Sequence, residues 1–248
     1  MMIKWLLLWV LMGNGSTNGD AYPKQKGALR VMSYNVRNGR GLDEKTDLSR
    51  IVNVFQRTHP DVVAVQELDS ATQRSNGVYV LKEIGEQVKM HYTYGPAIEY
   101  KGGKYGVGIL SKEKPLSVRQ IPLPGREEKR TVLLAEFKNY VLACSHFSLT
   151  EADRLESIEI IRSQVKGFDK PVLLAGDLND LPGSKMIESL SGDWKNLSGT
   201  AFTFPANEPN KCIDYIFGSG KMKLIQSVVV DEPVASDHRP IFVDVKLK

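Results

Sequence analysis

The chain has 248 residues, of which 42% are hydrophobic and 25% charged, with a net charge of +4. That length buries a sizeable core in one α/β domain. The lack of repeats, low-complexity tracts and long Pro/Gly/Ser-rich stretches after about residue 27 excludes a solenoid, a disordered chain and a second separate core.

Residues 1–21 stand apart. Lys4 precedes the apolar run Trp5–Met12, and a Gly/Asn/Ser-rich stretch leads to the small-x-small triplet Gly19-Asp20-Ala21. This has the form of a secretory signal peptide and predicts an exported protein, periplasmic or secreted, with residues 22–248 as the mature domain. A poorly ordered tail or a lone interfacial anchor is the plainer alternative; the run is too short to span a bilayer, and no transmembrane segment is expected after its removal. Losing Lys4 and Asp20 leaves 32 basic against 28 acidic residues, still +4. That mild balance suits polyanions such as nucleic acid or a phospholipid headgroup, and equally a solvated basic face. Cys144 and Cys212 lie in or beside apolar strand-like runs, where a buried free thiol competes with a disulfide, and two cysteines alone make no zinc site.

In chain order, the apolar run Leu29 to Tyr34 predicts a strand ending at Asn35. Leu48, Ile51, Val52 and Phe55 then fall at helical spacing, and His59-Pro60 stops that helix. Val62 to Val65 reads as a fully buried strand that delivers Gln66 and Glu67 at its end. Val80, Leu81, Ile84 and Val88 predict a second helix, followed by short strands at His91–Gly95, Val107–Ser111, Val132–Phe137 and Tyr140–Ser145, the last delivering His146. A helix over Glu151–Val165 leads to the strand Val172–Ala175 and then Gly176-Asp177-Leu178-Asn179. Further strands are expected around Ile213–Phe217, Ser227–Val230 and Pro240–Leu247. Helix-linked and hairpin-linked strands together predict two packed mixed sheets covered by helices. Asn35, Glu67, His146, Asp177 and Asn179 each stand where an apolar run ends, which is where α/β proteins gather a site.

Taken singly, these motifs have plain readings as turns, caps or structural histidines. Together, one Asn, one Glu, an Asp-x-Asn, two more Asp and two His make a set of hard oxygen donors and imidazoles without thiolates. Such a set suits Mg²⁺ or Mn²⁺ and, through them, phosphoryl chemistry. No Ser or Cys stands in a nucleophile elbow, so water is the expected nucleophile.

Ser33-Tyr34-Asn35, Gln66-Glu67, Ser145-His146-Phe147, Gly176-Asp177-Leu178-Asn179, Ile213-Asp214-Tyr215-Ile216 and Ser236-Asp237-His238 occur in the order found in the endonuclease/exonuclease/phosphatase superfamily. The resemblance runs from Leu29 to Lys248. That superfamily includes DNase I-like nucleases, abasic-site endonucleases, sphingomyelinases and inositol polyphosphate 5-phosphatases. The resemblance implies a four-layer α/β/β/α sandwich. It also implies Glu67 as the principal metal ligand with Asn35 and Asp237 on the metal side, and Asp177 and Asn179 orienting water and phosphate. His238, oriented by Asp214, and His146 would then face the phosphate. Whether Asp177 or the Asp214–His238 pair takes the proton stays open. Arg130 and Tyr105 are further candidates for phosphate or cleft contacts, with a surface salt bridge and a packing role as their plain readings; Arg37 is a third, with a solvated loop as its plain reading.

The expected function is metal-dependent phosphoester hydrolysis, as a phosphodiesterase or nuclease, by a monomer without a stable protein partner. A lipid or inositol phosphate phosphoesterase is the alternative, and a non-catalytic binding module on the same fold a weaker one. Lys101, Lys104, Lys112, Arg119, Arg126, Lys129 and Arg130 favour nucleic acid, although no basic segment is interleaved with stacking aromatics and no apolar membrane-facing loop is evident.

Overall fold

A computed structural model describes residues 21–248. The expected leader, Ala21 aside, lies outside them. Among the described residues no helix is long and apolar enough to cross a membrane.

Two six-stranded mixed sheets pack face to face. The first has the order β11-β12-β1-β2-β4-β3, from β1 (Leu29–Asn35), β2 (Val62–Ser70), β3 (His91–Tyr100), β4 (Gly103–Ser111), β11 (Met222–Val229) and β12 (Ile241–Leu247). The second has the order β5-β6-β7-β8-β10-β9, from β5 (Ser117–Leu123), β6 (Arg130–Glu136), β7 (Val141–His146), β8 (Val172–Asp177), β9 (Lys195–Asn196) and β10 (Asp214–Ser219). Helices α1 (Leu48–Thr58) and α2 (Val80–Val88) cover the first sheet, and α3 (Glu151–Val165) and α4 (Lys185–Ser191) the second. The layers are therefore α/β/β/α.

Local chemistry explains the elements. Asp47 caps α1 by accepting the Ser49 amide, and His59 closes it in the left-handed region just before Pro60. Each sheet has one parallel pair at its centre, β1 with β2 and β7 with β8, and each pair is joined by a helix, α1 or α3. All other pairings are antiparallel.

Strand alternation sorts side chains into three cores. Val31, Ala64, Leu142, Cys144, Leu173, Ala175 and Ile216 point into the seam between the sheets. Their neighbours Met32, Tyr34, Val63 and Val65 face α1 and α2, whereas Val141, Ala143, Val172 and Leu174 face α3 and α4. Cys144 lies in the seam and Cys212 in the outer core of the second sheet, so they cannot pair, and both thiols are free. The expected helix over Glu151–Val165 has those bounds, and the expected strands are present, most of them longer than expected, with β7 shifted by one residue and β12 one residue shorter; β5, α4 and β9 were not foreseen.

Candidate active site

The seam turns polar at one edge. Continuing the alternation two residues beyond Ala175, Cys144 and Ser33 reaches Asp177, His146 and Asn35, and Asp214 stands two residues before Ile216 on β10. Parallel pairing sets His146 beside Asp177 and Asn35 beside Gln66, while antiparallel pairing sets Asp214 opposite Asp177. Asp237 and His238 arrive from the turn before β12, which runs antiparallel to β1 and so starts at the same edge. Gly176 has its own geometric reason: a Cβ there would lie 2.0 Å from the Ser145 carbonyl oxygen.

Glu67 does not follow the alternation. Gln66 takes the seam position, fully buried, with its amide near the Cys144 thiol at 3.8 Å. A register shift between Val65 and Leu68 and a left-handed Glu67 (φ 59°) turn the Glu67 side chain to the edge. Asn179 also sits at positive φ, 51°. Non-glycine residues hold this conformation only where the surroundings impose it, and such residues cluster at functional sites.

Eight of the expected residues meet at this edge. Asn35, 1% exposed, donates through Nδ2 to Glu67 Oε1 at 2.9 Å and to Asp177 Oδ2 at 3.1 Å. Asp177 Oδ2 lies 3.5 Å from His146 Nε2 and 3.6 Å from His238 Nε2. His238 Nδ1 lies 2.9 Å from Asp214 Oδ2, which also accepts the Thr203 hydroxyl at 2.5 Å. The acceptor role of Asp214 assigns the proton to Nδ1. Asn179 gives its amide N–H to Asp177 Oδ1 and its side-chain nitrogen to the Phe147 carbonyl. A cavity of about 530 Å³ opens onto Glu67, His146, Asp177, Asn179, Asp237 and His238. Another of about 600 Å³, lined in part by Lys170 and Pro171 at the start of β8, is at the far edge and contains none of them.

The three remaining candidates separate. Tyr105 and Arg130 line the cavity, Arg130 paired with Glu128 at 2.9 Å. Arg37 instead donates to Gly41 O and Glu44 and lies 3.7 Å from Asp237. Of the other basic residues named from the sequence, Lys112 pairs with Asp61 at the opposite edge, Arg119 with Gln164, and Arg126 with Asp153. Sequence reasoning missed Thr203, Phe204, Glu128 and Lys211. Thr203 supports Asp214, the Phe204 ring lies 4.8 Å from that of His238, and Glu128 and Lys211 line the cavity. None of the four ends an apolar run, so the strand-end signal did not reach them. Exposed Leu149 and Leu181 add an apolar rim that the sequence did not reveal.

Charge is distributed unevenly. Burial opposes ionisation of His238, but Asp214, Asp177 and the Asp214 hydrogen bond outweigh it and raise its pKa to about 10. Burial raises the Asp177 pKa, against the pull of His238. Burial, then the cations Arg130 and His238, push the His146 pKa well below its usual value. At neutral pH, His238 is an imidazolium and His146 is neutral.

A two-sheet sandwich with acids and histidines converging at one sheet edge defines a class of hydrolytic α/β domains. Residues 32–238 match the Endonuclease/Exonuclease/phosphatase family, and the chain belongs to it. Enzymes of this family are hydrolases acting on phosphoesters, and they generally use divalent metals. Protein angel of Drosophila melanogaster is 23% identical, across 79% of this chain and 64% of that protein, so the chain spans less than two thirds of that relative. Solved structures of other proteins share the fold. An endonuclease/exonuclease/phosphatase from Beutenbergia cavernae is 21% identical with a TM-score of 0.74, covering 90% of this chain and 72% of that one. Another from Bacteroides vulgatus is 18% identical with a TM-score of 0.75, covering 90% and 100%.

The residues present fit a hard divalent cation. One neutral amide, that of Asn35, bridges the Glu67 and Asp177 carboxylates, and Asp237 opens onto the same cavity, a concentration of negative charge that a cation offsets. Asp177, Asp214 and His238 also lie within 4.8 Å of one another. An imidazolium has no lone pair to give a metal, however, and Asp214 Oδ2 already accepts two hydrogen bonds.

Proposed function

We propose that the protein is a divalent-metal-dependent phosphodiesterase that hydrolyses nucleic acid with water as the nucleophile. The observation that carries this reading is the Asn35-bridged pair of Glu67 and Asp177, with the Asp214-held His238 3.6 Å from Asp177, where Glu67, Asp177 and His238 open onto one cavity. Glu67, Asp237 and the Asn35 oxygen would hold Mg²⁺ or Mn²⁺, which when bound supplies charge neutralisation at a phosphoryl oxygen.

The division of labour follows from protonation. His238, whose pKa Asp214 and Asp177 raise, carries its proton at neutral pH, and its Nε2–H is the donor to a phosphoryl oxygen. Asp177, with a raised pKa and an Oδ2 between His146 and His238, takes the proton of the attacking water. The water oxygen bonds to phosphorus, the bond from phosphorus to the leaving oxygen breaks, and its electron pair goes to that oxygen. Asn179, held by the Asp177 carboxylate and the Phe147 carbonyl, fixes the loop that carries this geometry. Export is part of the proposal and rests on residues 1–21 alone. Exposed Leu149 and Leu181 at the rim support a second reading, a phospholipid substrate.

Nicking of supercoiled plasmid by residues 22–248 tests the first reading, with Mg²⁺ or Mn²⁺, with EDTA, and with His238→Ala. Nicking is expected to require metal and to fall by roughly 10²- to 10⁴-fold in the variant. Nicking that persists in EDTA and in the variant would sink the assignment. Hydrolysis of a small phosphodiester with neither nicking nor cleavage of a single-stranded oligonucleotide would move the substrate to phospholipid or inositol phosphate.

A further inference from the structure

Beside Glu67 the chain builds a surface of exposed cations and half-buried rings that the mechanism does not use. The β3–β4 hairpin closes in two residues, Lys101 (φ 44°) and Gly102 (φ 81°), a tight turn whose positive angles match the strand twist. The loop after β2 is tied to it, because the Gln73 amide donates to the Lys101 carbonyl at 2.9 Å. Within that loop Arg74 is held by two prongs, Nε and Nη2 on the Asp69 carboxylate at 2.6 and 2.8 Å. So fixed, its guanidinium lies 4.6 Å from the Tyr100 ring centroid and 5.4 Å from that of Tyr105. Lys101 Nζ lies 5.3 Å from the Tyr100 centroid, and the two tyrosine rings are 6.0 Å apart. Tyr105 lines the catalytic cavity with Glu67, so this surface begins at the cavity wall.

We propose that Arg74, Tyr100 and Lys101 form a subsite for single-stranded nucleic acid, receiving the nucleotide next to the one whose phosphate is cleaved. The proposal rests on the phosphodiesterase reading and names the form of its substrate. A planar cation backed by two rings is a stacking platform for an unpaired base, and the neighbouring ammonium of Lys101 answers a phosphate. In a duplex the base faces are already stacked, and a platform of rings adds nothing to its binding. The hairpin tip, Tyr100-Lys101-Gly102-Gly103-Lys104, has no exposed aliphatic side chain to enter a lipid surface. Because the Asp69 bridge and the tight turn hold the platform in place, little ordering is lost on binding. The sequence conceals this arrangement because Arg74 and Tyr100 are far apart along the chain, and only the pairing of β2, β4 and β3 brings them together.

The test uses Arg74→Lys and Tyr100→Leu. Arg74→Lys keeps a cation for buried Asp69 and removes only the plane. Binding of a fluorescent single-stranded oligonucleotide in EDTA is measured by anisotropy, and hydrolysis of bis(p-nitrophenyl) phosphate with Mg²⁺ is measured alongside. Each variant is expected to raise the oligonucleotide Kd by roughly 5- to 100-fold, the fold-change of one lost stacked base, and to leave hydrolysis of the small diester unchanged. Unchanged oligonucleotide binding, an equal loss with duplex, or an equal loss of small-diester hydrolysis would overturn the subsite. So would vesicles of anionic phospholipid binding in a Tyr100-dependent way while the oligonucleotide does not. A parent protein that binds the strand through these residues but hydrolyses no diester would sink the phosphodiesterase reading and leave the subsite standing.

Discussion

Asp214 has one carboxylate oxygen that takes the His238 and Thr203 hydrogen bonds and a second, buried oxygen without a partner. That asymmetry concentrates its charge requirement on His238, whose raised pKa is the measurable counterpart. A group with a folded-state pKa of about 10 and an unfolded value near 6.5 stabilises the fold fully below pH 6.5 and loses that contribution as the pH rises toward 10. Metal-free protein is therefore expected to show a falling Tm between pH 7 and 10, and His238→Gln a shallower fall. Lysines and tyrosines titrate in both proteins, so the difference between the two slopes isolates His238. Equal slopes would mean that the Asp214–His238 pair is not charged in the fold. At this scale much was legible: every polar residue expected from a strand end stands at the same edge. What was not legible was partnership. Thr203 and Asp214 are 11 positions apart, in a segment with no periodic pattern, and nothing in the sequence announces that one hydroxyl completes the environment of the other.

One side chain on α3 joins two of the loops around the site, beside the tie that Asn179 makes to Phe147. Arg154, 7% exposed, donates to Asp180 Oδ2 at 3.0 Å in the loop after β8, and to the Ser148 and Leu149 carbonyls in the loop after β7. It thereby fixes the loop that follows His146 to the loop that carries Asn179. Arg154→Ala leaves Asp180, itself 8% exposed, without its cation, and is expected to cost about 3–5 kcal/mol of stability by thermal or urea denaturation. Arg154→Lys keeps the charge without the fork, and is expected to lower kcat by roughly 10- to 100-fold with a smaller change in KM. A fully active Arg154→Lys protein would show that the two loops hold their positions without it. From the sequence, the helix bearing Arg154 is plain because Leu155, Ile158, Ile161 and Val165 are periodic. The role of Arg154 is not, since a basic residue in the first turn of a helix ordinarily faces solvent. The turn of Glu67 was equally hidden. Strict alternation gives the seam position to one of Gln66 and Glu67, and only the bulge lets Gln66 occupy it while Glu67 reaches the edge. Short α4 and β9 and the largely exposed β5 lacked an apolar run long enough to register.

For the whole molecule, the distance between the sheets decides whether the two halves of the site meet, because Asn35 and Glu67 belong to one sheet and His146, Asp177 and Asp214 to the other. Leu173→Ala in the seam and Leu190→Ala on α4 both delete a fully or almost fully buried leucine. Each is expected to cost about 2–5 kcal/mol. Only the seam variant should lose activity at 25 °C, where both remain folded; equal activity in the two would mean that the sheets do not need their full packing to align the site. The order of strands carries a last consequence, for the protein as it is made. β12 follows all the others in the chain, yet its place is beside β1, one strand from the middle of the first sheet, and Asp237 and His238 are carried just ahead of it. On the ribosome the first sheet has an open edge at β1, and the site lacks Asp237 and His238, until the last part of the chain has been synthesised. The site is therefore completed late, only as β12 takes its place beside β1 and brings Asp237 and His238 to the edge where the other six residues already stand.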